Sequence, residues 1–134
     1  MIKVYCDGGA RGNPGSAAAA FVVYKNEKLI HKFSRFVGIA TNNSAEYEAL
    51  IMALDYVLEM KLLCPVKIIL DSELVASQMK GKYKVKNENL QILFLKAKDL
   101  EKKIDANITY EWVSRDENKI ADALVNEELD KHKK

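Results

Sequence analysis

The order of hydrophobic periods is what most restricts this chain. Strand-like segments fill the first forty residues, and a helical period begins only at residue 41. Residues 2 to 6 alternate, with Ile2, Val4 and Cys6 on one face and Lys3 and Tyr5 on the other. Residues 8 to 15 hold four of the six glycines together with Asn13-Pro14, which predicts a turn. The stretch AAAAFVVYKNEKLIHKFSRFV then reads as two strands about a tight turn at Lys25-Asn26-Glu27. Residues 41 to 60, TNNSAEYEALIMALDYVLEM, form the clearest helix, with capping oxygens at its start. PVKIIL is short and almost continuously apolar, as a strand buried on both faces is. SELVASQM and ENLQILFLKAKDLEKKI read as helices, NITYEWV as a fifth strand, and ENKIADALVNEELDK as a closing helix. Three strands, helix, strand, helices, strand, helix implies an α/β fold. An antiparallel meander comes first, and helical crossovers then require parallel, right-handed pairings. The expectation is a five-stranded mixed sheet with helices on both faces. No linker or repeat divides the chain, so residues 1–134 read as one domain.

Composition excludes several function classes. No segment approaches the roughly 18 apolar residues of a membrane span. The start lacks the apolar core of a secretion signal, and a cytoplasmic protein is expected. Cys6 and Cys64 have no metal-binding spacing and should lie at opposite ends of the sheet, so no disulfide is expected. His31 falls in a strand and His132 in the tail, which gives little support to a zinc site. A net charge of +2 does not announce a nucleic-acid binder. Lys80, Lys82, Lys84 and Lys86 would share one side of an extended segment, as a solvated loop or a phosphate-tracking patch. No long apolar stripe demands a partner, and a monomer is expected.

Four acids carry the chemical signal. Open α/β sheets place their sites at the carboxyl ends of parallel strands. Asp7 ends the first strand and Asp71 the fourth. Either also has a simpler reading, Asp7 as a turn residue and Asp71 as a helix cap. Glu46 shares a helical line with Leu50, Ala53 and Val57, so it is the one carboxylate on a core-facing row. Glu48 instead lines up with Met52, Asp55 and Glu59, a row facing solvent. Asp122 stands in the first turns of the last helix, where the helix dipole alone would favour an acid. Clustered carboxylates repel unless cations neutralise them, and an all-oxygen donor set selects Mg²⁺ or Mn²⁺. A cation held by Asp7 would let the glycine-rich stretch after it meet phosphate.

The motifs YCDGGARGNPG, TNNSAEYEAL, ILDSELV and VSRDENKIADAL, in that order, resemble type 1 ribonuclease H over nearly the whole chain. The resemblance implies a metal-dependent endonuclease that cuts the RNA strand of an RNA/DNA hybrid, leaving a 5′ phosphate and a 3′ hydroxyl. It maps the family's four carboxylates onto Asp7, Glu46, Asp71 and Asp122, which would hold two Mg²⁺ ions. It assigns hybrid contacts to the backbone of Gly8 and Gly9. It gives a DNA phosphate to Asn13 and Thr41, and minor-groove bases or sugars to Asn42 and Asn43. The family's loop histidine has no counterpart here, and Arg115 is its nearest substitute. Arginine cannot serve as a general base, although it can bind phosphate. The alternatives are a non-catalytic hybrid- or RNA-binding module and a nuclease that also cuts double-stranded RNA.

Overall fold

A computed structural model describes residues 1–133. Its strands are β1 (Ile2–Gly12), β2 (Gly15–Lys25), β3 (Lys28–Ala40), β4 (Val66–Leu70) and β5 (Ile108–Trp112). Its helices are α1 (Asn42–Glu59), α2 (Glu73–Met79), α3 (Glu88–Lys103) and α4 (Lys119–Lys131), with a 3₁₀ turn at Arg115–Glu117. The sheet order is β3-β2-β1-β4-β5. The first three strands pair antiparallel, and β4 pairs parallel with both β1 and β5. This is the expected mixed sheet.

Strand β2 decides how the layers stack. Ala19, Phe21 and Val23 join the main core with Leu50, Leu54 and Val57 of α1. Ala18 and Ala20, on the other face, pack on Val125 and Leu129 of α4. All four alanines from Ala17 to Ala20 are fully buried. Short side chains let a helix lie close against each face. The turn between β2 and β3 has positive φ at Asn26 and Glu27, the backbone twist of a two-residue hairpin.

Two expectations need correction. The glycine-rich stretch is not a loop from 8 to 15. β1 continues through it, paired with β2 from Ile2↔Lys25 to Gly12↔Gly15, which leaves only Asn13-Pro14 as the turn. Ladder hydrogen bonds need backbone, not side chains, so a glycine run can pair where alternation is invisible. The segment carrying Lys80 to Lys86 is not extended throughout. Lys80 caps α2, and Gly81 turns the chain at φ +82°. The four lysines are all exposed, but not on one regular face.

Candidate active site

Register brings the first two acids together. Cys6 lies opposite Leu70 in the parallel β1/β4 pair, and β4 ends there. The next residues on the two chains are Asp7 and Asp71. Asp7 is no turn residue, because it pairs with Ala20 inside β1. Asp71 is no cap either. Ser72 caps α2, its side chain accepting from the N–H of Val75 at 3.2 Å. Both carboxylates are thereby free of the local roles that would have explained them.

Glu46 arrives from α1. Leu50, Ala53 and Val57 on its row are fully buried, and Glu46 is only 2% exposed. Glycine makes this possible. A Cβ on Gly8 would lie 2.1 Å from the carbonyl oxygen of Ala45 and 2.5 Å from the nitrogen of Glu46. The bare backbone of β1 therefore touches the backbone of α1, and the N–H of Gly8 donates to Glu46 Oε2 at 3.0 Å. Carboxylate oxygens of Asp7, Glu46 and Asp71 come within 4.8 Å of one another.

That proximity is costly without a cation. Burial pushes the Asp7 carboxyl up to about 8, and the charges of Asp71 and Asp122 add to the rise. Burial raises Glu46 well above the usual carboxylate range, helped by Asp71 and Asp7 and opposed by the Gly8 N–H and Arg115. Burial also raises Asp71, with the Asn118 amide and Arg115 among the groups pulling it down. Glu46 Oε1 and Asp71 Oδ2 are buried with no hydrogen-bond partner. Among the described residues, no lysine or arginine forms a salt bridge with any of the four acids. Cys6 beneath them is fully buried and its thiol is pushed up, which keeps it protonated. The donor set is thus all carboxylate oxygen, two of them unpartnered, which suits a hard divalent cation.

Asp122 stands on the rim. It lines the same cleft, of about 530 Å³, but its oxygens are outside the tight trio. Asn126, one turn on, donates to the Asp122 carbonyl at 3.1 Å and reaches Oδ2 at 3.5 Å. Arg11 spans from β1 to α4, pairing with Asp130 at 2.7 Å and reaching Asn126 at 3.4 Å. Arg115 lines the cleft from the 3₁₀ turn and is exposed.

The family model described as reverse transcriptase-like matches residues 5–128. A crystal structure of LC11-RNase H1 in complex with an RNA/DNA hybrid superposes with a TM-score of 0.94. It is 40% identical, and the match covers 98% of this chain and 99% of that one. The chain belongs to the type 1 ribonuclease H family. Ribonuclease H1 of the archaeon Halobacterium salinarum superposes at 0.91, with 34% identity over 97% of this chain and 98% of that one. A bifunctional protein of Mycobacterium tuberculosis is 37% identical over 96% of this chain. The chain spans about a third of that relative's length, 35%.

The remaining positions singled out for this ribonuclease H-family chain divide in two. Asn42 and Asn43 line the cleft with Gly8 and Gly9. Asn13, Thr41 and Asn43 line a smaller neighbouring hollow of about 180 Å³, together with Asn87 and Asn89. Several of these groups already serve the fold. Thr41 caps α1 by accepting from the N–H of Ser44 at 3.1 Å. Asn13 Oδ1 accepts from the N–H of Asn42 at 3.0 Å, and Asn42 Oδ1 from that of Ala10 at 2.8 Å. The close approach at Gly8 is to helix α1, and its N–H is taken by Glu46. At Gly9 a Cβ would meet nothing nearer than 3.8 Å. Sequence reasoning missed Asn87, Asn89, Arg11, Asn126 and Asn118, which no local pattern distinguishes from surface or capping residues.

Proposed function

We propose that this chain is a metal-dependent endoribonuclease that hydrolyses the RNA strand of RNA/DNA hybrids to 5′-phosphate and 3′-hydroxyl ends. One observation carries the reading. Three carboxylates from β1, α1 and the end of β4 crowd within 4.8 Å, two of their oxygens unpartnered, in the fold of a ribonuclease H1 solved in complex with an RNA/DNA hybrid. Asp7, Glu46 and Asp71 would hold divalent cations, with Asp122 completing the set from the rim. Mg²⁺ is the expected ion and Mn²⁺ a substitute. When bound, such ions neutralise charge at the scissile phosphate and make water more acidic.

The chain's own residues do the rest. Gly9, Asn42 and Asn43 line the cleft wall where a minor groove would lie, and the 2′-hydroxyl there distinguishes RNA from DNA. The hollow at Asn13 and Thr41 offers amide and hydroxyl donors to a phosphate of the DNA strand, with Asn87 and Asn89 as further donors. Arg115 holds positive charge beside Glu46 and Asp71 without being able to take a proton at neutral pH, which suits binding a phosphate as product leaves. Among the described residues, no helix is long and apolar enough to cross a membrane. A cytoplasmic setting, where hybrids form, fits the reading.

The test is a labelled RNA/DNA hybrid with Mg²⁺, run beside double-stranded RNA, double-stranded DNA and an Asp71→Asn variant. Cutting of the hybrid's RNA strand alone, lost in the variant, is expected. Additional cutting of double-stranded RNA keeps the chemistry and widens the substrate. Hybrid bound but never cut, at any Mg²⁺ or Mn²⁺ concentration, replaces the enzyme with a binding module.

A further inference from the structure

Four polar or charged residues are buried among the described residues: Asp7, Glu46, Gln78 and Asn118. The two acids belong to the site, and Gln78 is held by the Tyr47 hydroxyl. Asn118 remains. It stands immediately before α4, where an asparagine side chain ordinarily accepts from the first-turn N–H groups. It makes no such bond. Its Nδ2 instead donates to the carbonyl oxygen of Cys6 at 2.8 Å, joining residues 112 apart in sequence. Its Oδ1 is buried without a partner. Its own carbonyl accepts from the N–H of Asp122 at 3.1 Å. The same amide stands beside Asp71 and favours its charged form.

One residue thus touches three acid-bearing elements. The side chain grips β1 at the residue before Asp7. The main chain grips α4 at Asp122, and the amide borders Asp71. Elsewhere α4 is held by Val125 and Leu129 on Ala18 and Ala20, where small side chains interlock weakly, and by contacts farther along the helix, Arg11 to Asp130 and Ser34 to Glu128. We infer that Asn118 is a positioning residue that fixes Asp122 relative to Asp7 and Asp71, and so sets how tightly the site takes divalent cations. The inference rests on the metal-dependent reading of this cleft and names a residue that tunes it.

Two variants separate positioning from mere support. Asn118→Ala removes the grip. Asn118→Ser supplies a capping hydroxyl for α4 but is too short to keep the Cys6 bond. Calorimetric titration with Mg²⁺ or Mn²⁺, without nucleic acid, should read cation affinity about 10- to 100-fold weaker in both. The Mg²⁺ concentration for half-maximal cleavage should rise in step, with the KM for hybrid at saturating Mg²⁺ unchanged. The serine variant should melt at or above the alanine variant in EDTA and still show the weakened affinity. Unchanged cation affinity, or a loss confined to KM, overturns the proposal. Should both variants fail to fold, the parent supplies the reading: its Asn118 side-chain amide resonances must move with Mg²⁺ at the calorimetric midpoint, and resonances that stay fixed overturn it. Cation affinity that depends on Asn118 in a protein that cuts no hybrid would sink the nuclease reading alone. Hybrid cleavage with an unaltered Mg²⁺ requirement in Asn118→Ala would sink this one alone.

Discussion

Asp7, Glu46 and Asp71 are held closer than three free carboxylates would choose, and protons relieve most of the repulsion when cations are absent. The sign of the resulting pH dependence follows from Asp7, whose folded pKa rises from 3.8 to about 8. Between those values the folded state keeps a proton that the unfolded chain has released, so stability falls as pH rises. Glu46 and Asp71 shift in the same direction. In EDTA the melting temperature should therefore be highest near pH 4, as far as these groups decide it, and decline toward pH 8. Saturating Mg²⁺ should flatten or reverse the decline, and melting curves at several pH values in both media check this. By the same logic, Asp7→Asn should raise the metal-free melting temperature at neutral pH by about 5 °C while abolishing Mg²⁺-dependent cleavage. A variant that melts lower in EDTA would contradict the proposed repulsion. Glu46 was legible in sequence because it interrupts an otherwise apolar helical row. Asn118 was not, because an asparagine before a helix reads as a cap, and its actual partner, Cys6, lies at the other end of the chain.

Among elements, the contact between β1 and α1 matters most to the site. Gly8 and Gly9 look alike in sequence, yet their surroundings differ. Gly8→Ala drives a Cβ into the α1 backbone at 2.1 Å, so helix and strand must separate and carry Glu46 away from Asp7. A loss of roughly 1–3 kcal/mol, read by urea unfolding, should accompany loss of activity. Gly9→Ala finds room, and its stability should stay within about 0.5 kcal/mol of the parent. Weaker hybrid binding by that variant would assign the openness at Gly9 to the substrate. Helix α1 and strand β4 were plain in the sequence because their apolar residues keep a period. The second half of β1 was hidden because glycines have no side chain with which to show alternation. The lysine segment misled for the opposite reason, since its regular spacing suggested an extended chain that Gly81 interrupts.

Over the whole molecule, charge is nearly balanced, so affinity for a polyanion has to come from local groups, and the exposed Lys82, Lys84 and Lys86 are candidates to test. Replacing these three with alanine should raise the KM for hybrid and make its salt dependence shallower, with kcat unchanged. A steep salt slope that survives the change would assign the phosphate contacts elsewhere. The antiparallel meander and the parallel pairings after it were legible because helical crossovers require parallel, right-handed neighbours. Which acids meet was only partly so, since the tight trio and the outlying Asp122 depend on the β1/β4 register and on how α4 is gripped. The four acids are drawn from both ends of the chain and from two places between. A bound cation would thus tie together segments that are remote in sequence, as a disulfide does, but in a bond that buffer composition can undo. On that reading the site would double as a removable staple, and the supply of its divalent cation would set both how fast this protein works and how long it stays folded.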